Sequence, residues 1–466
     1  GGTATGPNQV VTKNGQVIGT VVNGQLIPGV TPTTVTIGGS FLTDINNNNA
    51  TFGADAPAYG DPRPSMDAVI KWVNEHGGVA GRNLQIYWQP VSQAHAVSDP
   101  NYLEEVCRNF TEDHHVFAVV DFINRLDAEA CYPQHHTLLF DESPEQGDQA
   151  YYKSLYPYLF SPAMMAADRQ QKTKLAGLNQ VGYFNTGSAT ASYKLGVIMP
   201  DDPRQQQIYD RITRPLLARY GVKNIEDPAK VRESSIQALA QDLQSAVVRF
   251  AADGVDHVII QGNAGGGEGG AALLFMRGAF KQQYYPRYGL GTNDAPGALE
   301  KQQGGVQPEL SGGPVFKKDN AAVSVGWAGG GDVEDANGDP WPSSPAEKRC
   351  VDIENAATPK PQTYASRVDA LVALGQCASI LLLWQATKGM TTLTADNFAR
   401  AALALGTAYE SGTSYASQLG PNHFDSPSGF RLFHAEDACA NVGGHVCFRS
   451  NSPTVYPAAT IDDSEP

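Results

Sequence analysis

From Thr33 onward, short strand-like runs alternate with amphipathic helical stretches, and few architectures accept that alternation. Val35 to Gly39 reads as a short buried strand, followed by a polar loop from Thr43 to Arg63 and a helix from Ser65. Along that helix Met66, Val69, Ile70 and Val73 recur at i, i+3, i+4 and i+7, and Gly77 is placed to end it in a left-handed cap. Strands at Leu84 to Trp88, Val116 to Asp121 and Thr137 to Asp141 alternate with helices around Tyr102 to Phe110 and through Cys131. Short loops joining strand to helix to strand predict a parallel, doubly wound sheet.

A second run of the same kind follows Pro157 and Pro162. Its expected helices cover Ala166 to Gln180, Gln205 to Tyr220, a stretch with Leu239, Leu243, Val247 and Phe250 on one face, and Ala271 to Gln283. Strands are expected at Leu195 to Met199, His257 to Gln261 and Tyr288 to Leu290. The fold class is therefore α/β, with two Rossmann-like, doubly wound lobes. Residues 1–32 differ: Asn14-Gly15 and Asn23-Gly24 are hairpin dipeptides flanked by Val and Ile, which predicts a small N-terminal β appendage. Past Asp294 the sequence offers a strand around Ala322 to Trp327, a Gly/Asp/Pro loop from Gly329 to Pro345, and a helix from Tyr364 to Lys388. That helix is apolar nearly all round and so expected to be buried. From Ser411 the chain reads as loop-rich, with a strand candidate at Phe430 to Phe433 and a frayed tail after Asn451.

The balance of 48 acidic against 33 basic residues leaves a net charge of −15 and no basic stripe, which excludes nucleic acid and anionic membranes as natural partners. The most apolar stretch, Ala370 to Trp384, is broken by Gly375, Gln376 and Ser379 and falls short of a membrane span. The sequence opens at Gly1 with no hydrophobic leader, so an export peptide, if one exists, is expected to have been removed. Six cysteines, none in a CxxC, speak for the compartment. Paired in chain order (Cys107 with Cys131, Cys350 with Cys377, Cys439 with Cys447) each closes a local segment, as disulfides of exported domains commonly do. The alternative is buried free thiols in a cytosolic chain. It suits Cys439 and Cys447 poorly, because they lie in a polar, Gly-rich segment.

Gly265-Gly266-Gly267-Glu268-Gly269-Gly270 fits a GxGxxG fingerprint between a strand and a helix, with Asp294 in place of the ribose-binding acid. A run of five glycines in six also matches by composition alone and serves equally as a permissive loop. There is no GxSxG nucleophile elbow. His114-His115 and His135-His136 are adjacent pairs that do not share a face, and read as surface residues beside buried strands rather than metal ligands. Asp332, Glu334, Asp335, Asn337 and Asp339 miss the EF-hand spacing and read as a solvated acidic loop. Asp121 and Asp141-Glu142, at strand ends, suit either acid/base work or a polar binding crevice.

Asn74-Glu75-His76-Gly77-Gly78-Val79-Ala80-Gly81-Arg82 resembles the "N-x-x-GG-(I/V)-x-GR" signature of type I periplasmic binding proteins of the leucine/isoleucine/valine-binding class. Thr34 to Gly38 looks like that family's first strand, Lys194 to Asp202 like the strand opening its second lobe, and Ala252 to Ile260 like its "aGvDaVi" strand. The resemblance covers about residues 33–435. It implies a non-enzymatic, extracytoplasmic solute-binding protein without cofactor, lipid-anchored in its full-length form. Two lobes would close on a small molecule that an ABC importer takes up through its permease. Lobe one would be residues 33–160 plus 295–410, and lobe two residues 161–294 plus 411–450, with crossovers near Ser161-Pro162, Asn293-Asp294 and 410–425; residues 451–466 form the tail. The crevice would lie at the carboxyl ends of the strands. Ligand candidates there are Ser40, Phe41, Thr43, Tyr59, Asp121, Phe122, Asn124 and Asp141 on lobe one, and Asp202, Arg204, Gln205, Asn263 and Asp294 on lobe two. Amino-acid binders of the family carry small hydroxyl residues where this chain has Asp121 and Phe122. A carboxylate there repels a ligand carboxylate unless Arg125 or Arg204 intervenes, which favours a neutral or cationic ligand with some apolar surface over a branched-chain amino acid. An NAD(P)-dependent oxidoreductase built on Gly265 to Gly270 and a sensor domain of the same fold are the alternatives.

Overall fold

The computed structural model describes residues 9–13, 15–44, 61–99, 101–121, 126–143, 146–184, 193–262, 270–301, 321–332, 341–357, 364, 367, 370–439 and 445–461. The chain opens with an antiparallel sheet of β1 (Gln9–Lys13), β2 (Gln16–Val22) and β3 (Gln25–Pro28). Asn23 and Gly24 take positive φ, as a two-residue hairpin turn requires. The appendage is fused to the first lobe. Gly29, at φ 65, accepts the Thr36 N–H, and a Cβ there would fall 2.5 Å from the Phe117 nitrogen, so only glycine fits.

The first large sheet comprises β4 (Thr34–Leu42), β5 (Asn83–Val91), β6 (Ala118–Asp121), β7 (Leu138–Asp141) and β8 (Leu159–Phe160). All its pairs are parallel, in the order β5-β4-β6-β7-β8. Helices α1 (Arg63–Glu75) and α2 (Tyr102–Arg108) connect its strands. Met66, Val69, Ile70 and Val73 of α1 are buried in the sheet's core, and Gly77 and Gly78, both at positive φ, end the helix as the sequence predicts.

The second sheet is built from β9 (Leu195–Pro200), β10 (Ala229–Val231), β11 (His257–Ile260), β12 (Arg287–Gly291) and β13 (Val323–Gly326), in the parallel order β10-β9-β11-β12-β13. Its connections include α3 (Ala167–Gln180), α4 (Pro203–Ile208), α5 (Ile236–Ala252) and α6 (Gly270–Lys281). Both sheets thus repeat one winding, second strand outermost, then first, third, fourth and fifth. Helices α7 (Pro345–Ala356), α8 (Leu371–Ala386) and α9 (Ala395–Leu405) return to the first lobe's core. Then β14 (Gly429–Cys439), β15 (His445–Ser450) and β16 (Tyr456–Pro457) extend the second sheet with antiparallel pairings.

Several expectations are corrected. The segment 295–410 does not belong wholly to lobe one: β13 pairs with β12, and Leu299 lies in the second lobe's core, so lobe two runs on to Asp332. The crossover expected at Asn293-Asp294 is not there, since the chain stays in lobe two through β13. The buried helix begins at Leu371 rather than Tyr364. β14 is far longer than Phe430 to Phe433. The tail is not frayed through Ile461, because Tyr456 pairs with Phe430 and Ala459 hydrogen-bonds both Arg169 and Thr173 of α3. Asp332 is no solvated loop residue: it is fully buried and accepts from Thr292 Oγ1 at 2.7 Å.

Two disulfides, Cys107–Cys131 and Cys350–Cys377, close within lobe one. The side chain of Cys439 lies outside the described residues. Among the described residues no helix is long and apolar enough to cross a membrane, and no group of acidic, His or Cys side chains is arranged to hold a metal.

Candidate functional site

Pairing register places one polar row across the carboxyl ends of the first sheet. Ser40 pairs with Gln89, and the ladders that pair Gly39 with Val120 and Asp121 with Asp141 carry the row over to β6 and β7. Paired residues of neighbouring strands face the same side of a sheet, so Ser40, Asp121 and Asp141 converge. Ser40 Oγ donates to Asp121 Oδ1 at 2.6 Å, and the Tyr132 hydroxyl stands 3.5 Å from Asp121 Oδ2. Asp141 accepts from the Ser143 N–H at 2.9 Å and from Gln146 Nε2 at 2.9 Å. Gln146 in turn accepts from the Tyr152 hydroxyl.

All three row residues are buried. Burial pushes the Asp141 carboxyl up to about 7; the Asp121 charge adds to that rise, while the Ser143 and Gln146 hydrogen bonds oppose it. Burial likewise holds the next carboxyl, Glu142, well above its ordinary range. Ser379 of α8 donates to one of its oxygens, and the other has no hydrogen-bond partner among the described residues.

The facing rim comes from lobe two. Asp202 caps α4, accepting from the N–H groups of Arg204 (2.7 Å) and Gln205 (3.2 Å). Gln261, just past β11, donates to the Gln205 carbonyl at 2.6 Å and accepts from Thr213 at 2.7 Å, which fixes the orientation of both side chains. Past β12, Asn293 Nδ2 donates to Gln170 Oε1 at 2.6 Å.

The two edges meet in a crevice of about 40 Å³, lined on the lobe-one side by Leu126, Gln146 and Asp148 and on the lobe-two side by residues that include Gln170, Asp202, Arg204, Gln205 and Asn293. That space admits a few waters. Gln146 joins the crevice to the buried row, because it both lines the crevice and binds Asp141.

Of the sequence candidates, Asp202, Arg204 and Gln205 line the crevice, and Ser40, Asp121 and Asp141 lie in the row connected to it. Phe41 projects elsewhere, edge-on to Trp88 with ring centroids 6.3 Å apart and with the Arg63 guanidinium 4.0 Å over its ring. Thr43 prolongs the β4–β5 ladder through its N–H to the Val91 carbonyl. Asp294 points inward, not toward ligand: it is buried, ion-paired with Lys174 Nζ at 2.6 Å, and accepts the Gly291 N–H at 2.8 Å. That pairing also removes the acid expected to hold a ribose. Tyr59, Phe122, Asn124 and Asn263 lie outside the described residues, as do Gly265 to Gly269; Gly270 opens α6.

Sequence reasoning missed Gln146, Asp148, Gln170 and Asn293. For Asn293 a signal existed, since it neighbours the chosen Asp294 in a tight turn where adjacent side chains diverge. Gln146, Asp148 and Gln170 follow no strand directly, so the rule of looking past strand ends passes over them.

Backbone hydrogen bonds join segments that are distant in sequence. Ser161 N–H donates to the Phe424 carbonyl and Ser426 N–H to the Ser161 carbonyl, while Gly329 N–H donates to the Thr413 carbonyl. Asp425 pins this junction. It is fully buried, paired with Arg169, and accepts from Gln149 and from the Ala166 N–H. Burial raises its pKa, but Arg169 and these hydrogen bonds win and hold it below the usual range.

No protein-family model matches the chain, and no curated protein is similar to it in sequence. Solved structures are similar across nearly its whole length. A solute-binding protein of an ABC transporter from Rhodopseudomonas palustris, in complex with 3,4-dihydroxybenzoic acid, superposes with a TM-score of 0.59 at 13% identity, covering 92% of this chain and 98% of the other. A possible leucine/isoleucine/valine-binding protein from Rhodopirellula baltica gives 0.58 at 13% identity, covering 90% and 96%. A branched-chain amino acid transporter substrate-binding protein from Streptococcus pneumoniae, with isoleucine, gives 0.54 at 14% identity, covering 91% and 100%. The fold of this chain is that of the type I periplasmic binding proteins.

Proposed function

We propose that the protein is an extracytoplasmic solute-binding protein. It captures a small molecule between its lobes by hinge closure and delivers it to the permease of an ABC importer. The observation that carries this reading is the crevice itself: polar side chains of both lobes meet there, beside backbone hydrogen bonds that tie Ser161 to Phe424 and Ser426, in a fold whose solved examples bind small acids and amino acids. A ligand enters and leaves as the lobes part. The two disulfides support an oxidising compartment, and a lipid anchor in the full-length form belongs to the same reading.

The ligand is neutral or cationic rather than a branched-chain amino acid. A carboxylate docked on the first lobe's edge would face Asp121 and Asp141, whereas an amide or ammonium would donate to them. The oxidoreductase alternative loses its ribose acid to Lys174.

Thermal unfolding against a panel of amides, amines, amino acids, sugars, aromatic acids and NAD(P) tests the reading, since a solute that binds only the native state raises the midpoint. Stabilisation by one amide or amine class, without turnover, is expected. Stabilisation by NAD(P) alone, or measurable turnover, would overturn it.

A further inference from the structure

Beside the interlobe crevice lies a groove with a volume of about 250 Å³. A void of about 150 Å³ suffices for a benzene ring, so this one has room for a ring or short chain bearing a head group. Its floor is the face of the helical stretch 203–219 that presents Ile208, Ile212, Pro215 and Leu216. A π turn, Tyr209–Thr213, interrupts that stretch just ahead of Pro215, which has no N–H to continue the α ladder. The opposite wall is α3 and the tail strapped along it, ending in Ile461. Lys172 Nζ donates to the Thr460 carbonyl at 3.1 Å, and Ala459 N–H donates to Thr173 Oγ1 at 3.0 Å, so that wall is fixed.

Cations outnumber carboxylates in the groove. Its cations are Lys172, Arg211 and Arg219, and its carboxylates are Asp148 and Asp168. Both carboxylates are committed: Asp148 caps the helix Gln149–Ser154 through the Tyr151 N–H, and Asp168, buried, accepts from the Gln149 and Arg169 N–H groups. Arg211 and Arg219 are exposed, and neither makes a hydrogen bond or ion pair with a described residue. Three cations rim an apolar floor in a pinned concavity.

We propose that this groove binds a small amphipathic monocarboxylate, with its apolar body against Ile208, Ile212, Leu216 and Ile461 and its anion at the rim formed by Lys172, Arg211 and Arg219. The site is a second one, independent of the crevice reading, because its anion-holding residues take no part in the crevice. Asp148, from lobe one, lines both spaces. An occupant therefore touches both lobes and is coupled to their closure.

The test is a titration of the full chain carrying ¹³C-methyl isoleucine, with hexanoate and hexylammonium as probes of equal apolar length and opposite charge. Saturable shifts of the Ile208, Ile212 and Ile461 methyls with hexanoate alone are expected, with affinity at least tenfold weaker in Arg211→Glu/Arg219→Glu. The exposed positions leave folding intact, and Arg211→Gln/Arg219→Gln serves as a milder version with the same direction. Equal shifts with hexylammonium, or hexanoate shifts unchanged in the double variant, would overturn the proposal. So would hexanoate binding seen only in a chain ended after Ile461, because the groove would then serve the acidic segment beginning at Asp462.

Discussion

Asp141 closes the fourth strand of lobe one and Asp294 lies in the turn that follows the fourth strand of lobe two; burial raises the pKa of both, but they are partnered differently. Asp294 is fastened to Lys174 and to a backbone N–H, which oppose the rise in its pKa that burial causes. Asp141 receives an amide and a backbone N–H; among the described residues it forms no ion pair, and burial drives its pKa up to about 7. The contrast extends to the third strand, which ends in Asp121 in lobe one and leads into Gln261 in lobe two. Lobe two presents a rim whose charges and amides satisfy one another. Lobe one holds carboxyl groups whose protonation depends on what lies beside them.

The lobes also differ in covalent bracing, and the largest expected effect tests that. Both described disulfides lie in lobe one, across separations of 24 and 27 residues. Loops of that size are worth about 3 kcal/mol each. Replacing all four cysteines by alanine should lower unfolding free energy by about 6 kcal/mol in urea, with the loss confined to a transition assigned to lobe one. Equal loss from both lobes would break the distinction.

Lys174→Met leaves the Asp294 charge buried without a partner, which costs about 3–5 kcal/mol. Lys174→Met combined with Asp294→Asn should recover most of that in the same denaturation assay. If the single substitution is silent, the two carboxyls are not differently treated after all.

Asp141→Asn sharpens the comparison through pH. Unfolded, the carboxyl titrates near 3.8; folded, near 7. Between those values the native state holds a proton that the unfolded state has released, so stability falls as pH rises through roughly 4 to 7 and is level above that. The shift corresponds to a few kcal/mol. Asp141→Asn should therefore flatten the urea-midpoint profile over this window and exceed the parent in stability at about pH 8. Asp168 and Asp332, also pushed up to about 7 by burial, contribute similar slopes to both proteins and cancel in the difference.

The smallest effect is at the rim. Gln205→Ala removes a side chain that lines the crevice and packs against Gly262 and Gln261. Affinity for the stabilising solute should drop roughly three- to tenfold, about one hydrogen bond, with the unfolding midpoint nearly unchanged.

The windings were legible because helical and strand periodicities differ, and Met66, Val69, Ile70 and Val73 announce a buried helix face in any context. The cap at Asp202 carried a signal that starting the helix at Gln205 passed over, since an acid followed by proline marks a helix start. What no local pattern reveals is which sheet a strand joins: Val323–Gly326 reads as a strand in either lobe, and only its ladder with β12 decides. The same limit hid the inward turn of Asp294. Its partner Lys174 lies on a helix far back in the sequence, and an acid after a strand looks alike whether it faces solvent or a lysine.

The helix α8 has a consequence in time. Apolar all round and buried throughout, it covers β-strands of lobe one that are synthesised long before it, with the whole of β9 through β13 made in between. A chain emerging from the ribosome, or threaded across a membrane, therefore presents an unroofed first sheet until Ala386 has arrived. Contacts so distant in sequence slow folding and prolong the exposure of aggregation-prone surface. The route to the native protein thus calls for a holding partner, or for speed, during the interval between β8 and α8.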